Sequence, residues 1–386
     1  MAIAKRDFEI PGNPGLIKHT ALWLFQNILP SQFNDVVLRK HQRLHLGRQP
    51  AGKKVAVFLI FPKTGILPSH LHSLRYMVEN GYAPLIVSNQ KLQPADIAAL
   101  HSLAWMILER LNFGYDFGGY RDAILWLGPH LAQLDRLVLF NDSTWFPLAN
   151  RMNWLAEAEA RSEDYVGAME TRFGKLPGQR ERDQSHMWTF DRKRSQFYYG
   201  SFALSIGPKL SKNIGFFRFW RKLRLSQGKT RTIRRGEIGL SQWVRAQGFS
   251  HGSTTNAADF DSIFIAMDEP DLRRVFNDLI YVQDPKTEAI LEKLTQSAGP
   301  EGLQRRDIEQ LLFLTIGSRG ASLAVPRFLV EQKNYSFLKK YAVLPGTRNT
   351  AALVALINDL NDPMQQQMLA ERGLTSAVSQ TADKAV

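Results

Sequence analysis

A chain of 386 residues, 44% hydrophobic and 22% charged, can bury a substantial core in one large domain or two and is neither disordered nor fibrous in make-up. It has no cysteine, which excludes disulfides, thiolate zinc sites and a cysteine nucleophile and fits a reducing compartment. The net charge of +13 comes from 49 basic and 36 acidic residues, and the excess sits in one block: residues 192–236 hold 13 Lys and Arg and no Asp or Glu. Such a block asks for an anionic partner, whether nucleotide phosphates, an anionic membrane surface or nucleic acid.

Residues 1–50 read as an N-terminal helical extension. A Pro-Gly turn cluster at 11–15 precedes an amphipathic stretch at 16–29, and Arg39, Lys40, Arg43 and Arg48 follow. A helix of this kind either packs on its own domain, the commoner case, or lies on an anionic inner membrane leaflet. No run reaches the roughly 18 apolar residues of a membrane span, and the opening residues lack the apolar stretch of a secretory signal. The expected location is the cytoplasm, with peripheral membrane contact at most.

Residues 51–250 are expected to form an open, mostly parallel α/β sheet with helices on both faces. VAVFLIF at 55–61 is a continuous apolar run, the signature of a central parallel strand covered on both sides. Ser69 can start a helix through Leu71, Leu74, Met77 and Val78 that ends at Gly81. Strand segments at 84–87, 105–108 and 137–140 alternate with further helical stretches, giving a β-α-β-α-β-α-β series that demands right-handed crossovers. No G-x-G-x-x-G follows the first strand, where Phe61 leads into Pro62-Lys63-Thr64-Gly65, which argues against a dehydrogenase. His70 and His72 stand two apart on a helix with no third ligand nearby, so they do not read as a metal pair.

The stretch 111–148 carries the chemistry. An Asn112-x-Gly114-x-Asp116-x-Gly118 loop is followed by an amphipathic segment at 120–134 and a buried strand whose exit holds Asn141, Asp142 and Ser143. An apolar strand stopping at a carboxylate presents an acid at the carboxyl edge of the sheet, where ligands bind. Asp142 either caps the segment that follows or coordinates a divalent cation on nucleotide phosphates. Further on, Gly236-Glu237 ahead of Ile238, Leu240, Trp243 and Val244 reads as a helix start with its carboxylate in the first turn.

The ordered set Asn112, Gly114, Asp116, Gly118, Tyr120, Arg121, then Asn141, Asp142, Ser143 and Pro147 resembles the rhamnan synthesis protein F family of bacterial polysaccharide glycosyltransferases. More distantly it is similar to nucleotide-sugar transferases of the GT-A type, although their two-acid metal motif is reduced here to one acid. Residues 164–171, with Gly167 and Glu170, resemble the family's sugar-pocket element. Gln196 and Tyr198 match its Gln-Ser-Tyr-Phe strand, with Phe197 where the family has Ser. Residues 237–241 resemble its E-x-x-L-S/T segment and 334–344 its closing stretch.

The resemblance implies a GT-A-like glycosyltransferase moving a sugar, often L-rhamnose, from a nucleoside-diphosphate donor to a growing cell-surface polysaccharide or lipid-linked glycan, with inversion. It gives Asp142 to Mg²⁺ or Mn²⁺, and the base or ribose of the donor to Asn112 and Asp116. Gly114, Tyr120, Arg121, Asn141, Ser143, Arg234 and Arg235 fall to the rest of the donor site. Gly167, Glu170, Gln196 and Tyr198 fall to the acceptor or sugar pocket. Glu237 becomes the general base, kept ionised by Arg234 and Arg235. The alternative is a non-catalytic scaffold binding the membrane or the glycan machinery through the basic block.

Within that block, residues 216–225 interleave Phe217, Phe219 and Trp220 with Arg218, Arg221, Lys222 and Arg224, a texture that suits single-stranded nucleic acid. No nucleic-acid module accompanies it, and basic stems readily cover an apolar helix face, so no nucleic-acid partner is expected. Residues 172–183 read as a surface loop and 250–262 as a polar linker. Helices are expected at 272–279, 287–294 and 307–316 within a helical C-terminal region, 251–371, and a tail at 372–386 frays.

Overall fold

The computed structural model describes residues 34–172, 197–257, 259–280, 302–341 and 347–374. The expectations at 16–29, 173–183, Gln196 and 287–294, and for the tail beyond 374, lie outside the described residues.

The strands are β1 (Arg43–Leu46), β2 (Lys54–Ile60), β3 (Ala83–Ser88), β4 (Met106–Glu109), β5 (Arg136–Asn141), β6 (Thr144–Trp145), β7 (Tyr165–Arg172), β8 (Phe197–Tyr199), β9 (Ala203–Ile206), β10 (His251–Thr255) and β11 (Leu338–Lys339). Nine of them form one sheet in the order β1-β4-β3-β2-β5-β9-β7-β10, with β8 paired to β7. The four central strands β4, β3, β2 and β5 are parallel, as is the β7–β10 pair, while β1 and β9 run antiparallel to their neighbours.

The apolar run of β2 is buried because both its faces are covered. Ala56, Phe58 and Ile60 enter one core, and Val55, Val57 and Leu59 enter the other, as the two-residue period of a strand requires. Helices Tyr115–Leu127, Ile214–Lys222 and Gly239–Ala246 contribute to the second core. Helices Pro68–Glu79, Trp154–Ala160 and Arg305–Arg319 contribute to the first. The C-terminal helices thus cover a face of the same sheet.

The expected β-α-β-α-β-α-β series is present. The chain runs outward from β2 to β3 and β4, then returns to β5 on the other side of β2. That reversal opens a crevice at the carboxyl ends of β2 and β5, the place where open α/β sheets bind ligands. Three expectations are corrected. Residues 43–46, expected within a helical extension, form β1 at the edge of the sheet, paired antiparallel with β4; a mostly exposed edge strand needs no apolar run to mark it. The polar run at 250–262 is no linker, because His251–Thr255 pairs with β7 and extends the sheet past residue 250; its Ser and Thr side chains are accommodated by hydrogen bonds such as Ser253 Oγ to the Thr255 carbonyl. The helix expected from 120 starts earlier, at Tyr115, because Gly114 turns the chain with φ of +80°, a conformation other residues adopt at a cost.

A second, two-stranded sheet pairs β6 with β11, placing Lys339 opposite Thr144. No helix among the described residues is long and apolar enough to cross a membrane.

Candidate active site

Asp116 is positioned by a buried arginine. Arg110, just past β4, donates to Asp122 at 2.7 Å, to Asn89 Oδ1 at 2.5 Å and to the Phe113 carbonyl at 2.7 Å. These bonds pin the 110–113 backbone, so the turn at Gly114 delivers Asp116 to the first turn of helix Tyr115–Leu127, where the helix dipole favours a carboxylate. Asn141, at the end of β5, donates to Asp116 Oδ2 at 2.9 Å and accepts from the Ser143 N–H at 3.1 Å.

Asp142 sits at the switch point itself. Its Oδ2 accepts the Phe61 N–H at 2.8 Å, at the exit of β2, and lies 3.3 Å from His70 Nε2. The Leu67 N–H donates to His70 Nδ1 at 3.2 Å, which leaves Nε2 as the protonated nitrogen facing the acid. Burial opposes ionisation of Asp142, but His70, the Phe61 N–H and Lys340 outweigh it and hold the carboxyl below its ordinary value.

Glu237 approaches from the other side. Helix Lys229–Ile233 continues through a π turn, Arg234–Ile238, into helix Gly239–Ala246. The acid is therefore mid-helix, not at a helix start, and the π turn is what re-aims it. Gly236 makes the approach: a Cβ there would lie 2.3 Å from the Phe117 ring. Glu237 Oε1 accepts the Ser201 N–H at 3.2 Å and the Ser201 hydroxyl.

A cavity of about 310 Å³ opens between these elements, lined among others by Tyr115, Asp116, Phe117, Ser201, Lys229 and Glu237. Burial, then repulsion from Glu237 and Asp142, pushes the Asp116 carboxyl up to about 6. Burial also raises Glu237, against the pull of the Ser201 bonds and of Lys339 and Lys229. Lys339 is pushed down to about 8 by burial, while Glu237 and Asp116 favour its charged form. Its Nζ stands 3.3 Å from Ser143 Oγ and 3.8 Å from the centre of the Phe202 ring. Two acids slow to ionise on one cleft, with a lysine quick to lose its proton close enough for its charge to reach both, are the usual mark of a site tuned for proton transfer or charge stabilisation.

Residues 85–273 match the family model for rhamnan synthesis protein F. That bears out the family resemblance drawn from the motifs, and Asp116, Asp142 and Glu237 all lie within the matched span. The chain is also 30% identical over 231 residues to an uncharacterized protein, y4gN, of Sinorhizobium fredii; the match covers 60% of this chain and 56% of that one, so the chain spans little more than half of that relative's length. Among solved structures it is similar to a 4-diphosphocytidyl-2C-methyl-D-erythritol synthase of Anaerococcus prevotii, with TM-score 0.32, 10% identity and coverage of 53% of this chain and 87% of that one. It is also similar to the mannosyltransferase Ktr4p of S. cerevisiae, with TM-score 0.26, 8% identity and coverage of 46% and 62%.

Of the residues expected at the site, the structure brings together Asp116, Asn141, Asp142, Ser143 and Glu237. Others face elsewhere. Arg121 is 1% exposed and its guanidinium binds Asp35 at 2.5 and 2.7 Å and the carbonyls of Trp220 and Arg221 at 3.0 Å each. Tyr120 donates to the Ser201 carbonyl at 2.8 Å and so supports the residue that holds Glu237. Asn112 is exposed and its carbonyl accepts from Gln227, whose side-chain oxygen also meets the Gly114 N–H. Gly167 lies against the Tyr199 ring, while Glu170 and Tyr198 are buried on the paired strands β7 and β8.

Arg234 and Arg235 are exposed, and Arg235 reaches the Arg224 carbonyl at 3.4 Å. The cations whose fields reach Glu237 are instead Lys339 and Lys229. Sequence reasoning missed both, together with His70 and Ser201. The one signal for Lys339 was a pair of lysines inside the otherwise apolar NYSFLKKYAVL.

A divalent cation does not fit Asp142. One of its oxygens is engaged by the Phe61 N–H and His70, and the charges of Lys340 and Arg372 act on it as well. A hard cation takes only oxygen ligands, and the positive side chains already set against this acid would repel it. Among the described residues, no three His, Cys, Asp or Glu side chains are grouped so as to hold a metal.

Proposed function

We propose that this chain is a glycosyltransferase of polysaccharide synthesis with a GT-A-like nucleotide-sugar site. It transfers a sugar, L-rhamnose by the family resemblance, from a nucleoside-diphosphate donor to a glycan or lipid-linked glycan acceptor. One observation carries the reading: acids distant in the chain, Asp116 and Glu237, wall a single cavity at the carboxyl edge of the sheet, next to the strand-end Asp142. The cavity is of a size that takes a sugar or the polar part of a nucleotide.

Glu237, made more basic by burial and oriented by Ser201, takes the proton of the acceptor hydroxyl. The freed oxygen pair attacks the anomeric carbon as the bond to the diphosphate breaks and the diphosphate departs with its electrons. A single displacement of this kind inverts the anomeric centre. Asn141 holds Asp116 at the mouth of the donor site.

The basic block supports a partner of a second kind. Arg218, Arg221, Lys222, Arg224, Arg234 and Arg235 are all exposed, and such a face suits an anionic inner leaflet carrying a lipid-linked acceptor. Co-sedimentation with phosphatidylglycerol vesicles that is strong at low salt and lost at high salt is the expected result; equal binding to neutral vesicles would remove the electrostatic contact.

The test of the transferase is a panel of UDP-, GDP- and dTDP-sugars scored by thermal shift and by diphosphate release with a glycan acceptor. A cognate donor well above its Kd should stabilise the protein by about 3 kcal/mol. No stabilisation and no release with any donor would leave the scaffold reading in its place.

A further inference from the structure

We propose that Lys339, with Lys229 beside it, is the fixed cation that receives the donor's departing diphosphate, in the role a divalent ion would fill. This rests on the transferase reading above and adds the residue that stabilises the leaving group.

Topology delivers the lysine. β11 pairs antiparallel with β6, the strand that begins two residues after Asp142, and the Lys340 N–H bonds the Ser143 carbonyl at 2.9 Å. Lys339 is therefore locked in register beside the strand-end acid, although it comes from the far end of the chain. Its ammonium reaches Ser143 Oγ and caps the Phe202 ring, and its charge is felt by both Asp116 and Glu237.

The two adjacent lysines differ. Lys340 is neutralised by Glu371 at 3.3 Å and donates to Ser69 at 2.7 Å, so it ties the C-terminal segment to the first helix of the sheet. Lys339 has no carboxylate within 4.0 Å among the described residues, and neither does Lys229. Two ammonium groups that repel each other, within reach of two cavity acids and with no carboxylate in contact among the described residues, are suited to a doubly charged ligand. A diphosphate can lie beside Asp116 and Glu237 only if cations offset their charge. A preorganised ammonium at the point where negative charge develops does that without reorganisation. Lysine, a compact point charge, serves a diphosphate whose position shifts as the bond breaks.

The experiment is calorimetric titration of the full chain with UDP, GDP and dTDP and with the matching monophosphates, each in EDTA and in its absence. The wild type should prefer one diphosphate over its monophosphate. Lys339→Gln should cut that preference at least tenfold with monophosphate affinity unchanged, and Lys339→Arg should retain most of it, which also shows that the position tolerates substitution. A diphosphate preference kept in Lys339→Gln, or one that EDTA abolishes in the wild type, overturns the assignment. Wild-type protein that binds no nucleotide at all overturns the transferase reading itself, a different result from a bound diphosphate indifferent to Lys339.

Discussion

Helix Tyr115–Leu127 carries charged residues into two clusters of opposite character. On one side Asp122 meets Arg110 at 2.7 Å with both side chains 1% exposed, and Arg121 meets Asp35 in a two-pronged pair. On the other, Asp116, Glu237 and Lys229 line a cavity, the charge of Lys339 reaches both acids, and no ion pair is closed among these groups. The first cluster spends its charges on one another and fixes the backbone. The second leaves them unspent, so burial shifts the titration of both acids and of Lys339. A motif read in one line of sequence therefore divides into a structural half and a half free to meet a ligand.

The largest expected effect falls on the open cluster. Glu237→Gln removes the base while keeping its size, and turnover should drop by about a factor of 10³, within the range for general-base catalysis, with the melting temperature unchanged or raised. Undiminished turnover would move the base elsewhere, Asp116 being next in line. The sealed cluster should answer in the opposite way. Asp122→Asn leaves Arg110 buried without its counter-charge and should cost about 3–5 kcal/mol in urea unfolding, with any activity change following the loss of folded protein.

The pH profile sharpens the contrast. Burial raises the carboxyl of Glu237, the base, and lowers Lys339 to about 8, so kcat/KM should fall toward acid as Glu237 takes up a proton and on the alkaline side of about 8 as the ammonium is lost. Lys339→Arg, which stays charged, should abolish the alkaline limb alone.

The smallest effect concerns stability. Folded Asp116 holds its proton up to about 6, whereas the ordinary group loses it near 3.8. Between those values the native state binds more protons than the unfolded one, so this group makes stability fall as pH rises. Asp116→Asn should flatten that slope and melt slightly higher at pH 7 than the wild type while losing activity, a trade common at functional sites. An unchanged slope in the variant would mean that the carboxyl is not strained.

Hydrophobic pattern alone was enough for the parallel centre of the sheet. The runs at 55–61 and 137–140 read as covered strands, and they form as Lys54–Ile60 and Arg136–Asn141 with the acid at 142 at their carboxyl edge. The pattern failed where polar residues are satisfied by partners far along the chain. His251–Thr255 looks like a linker because its Ser and Thr show no alternation, yet pairing with β7 makes it a strand. Glu237 looks like a helix-start acid because the sequence cannot show a π turn. Arg121 looks available to a donor because its partner Asp35 lies in a segment of weak pattern.

The sequence by itself determined the class of fold, the strand-end acid and the family resemblance, since local periodicity and short ordered motifs survive in one dimension. Only the tertiary structure decided which charges are spent and which are left for a ligand. Ion pairs and cavities depend on which helix face meets which strand end, and that is set by long-range register. The β6–β11 pairing brings Lys339 back to Ser143, and nothing in the residues around either strand announces the other.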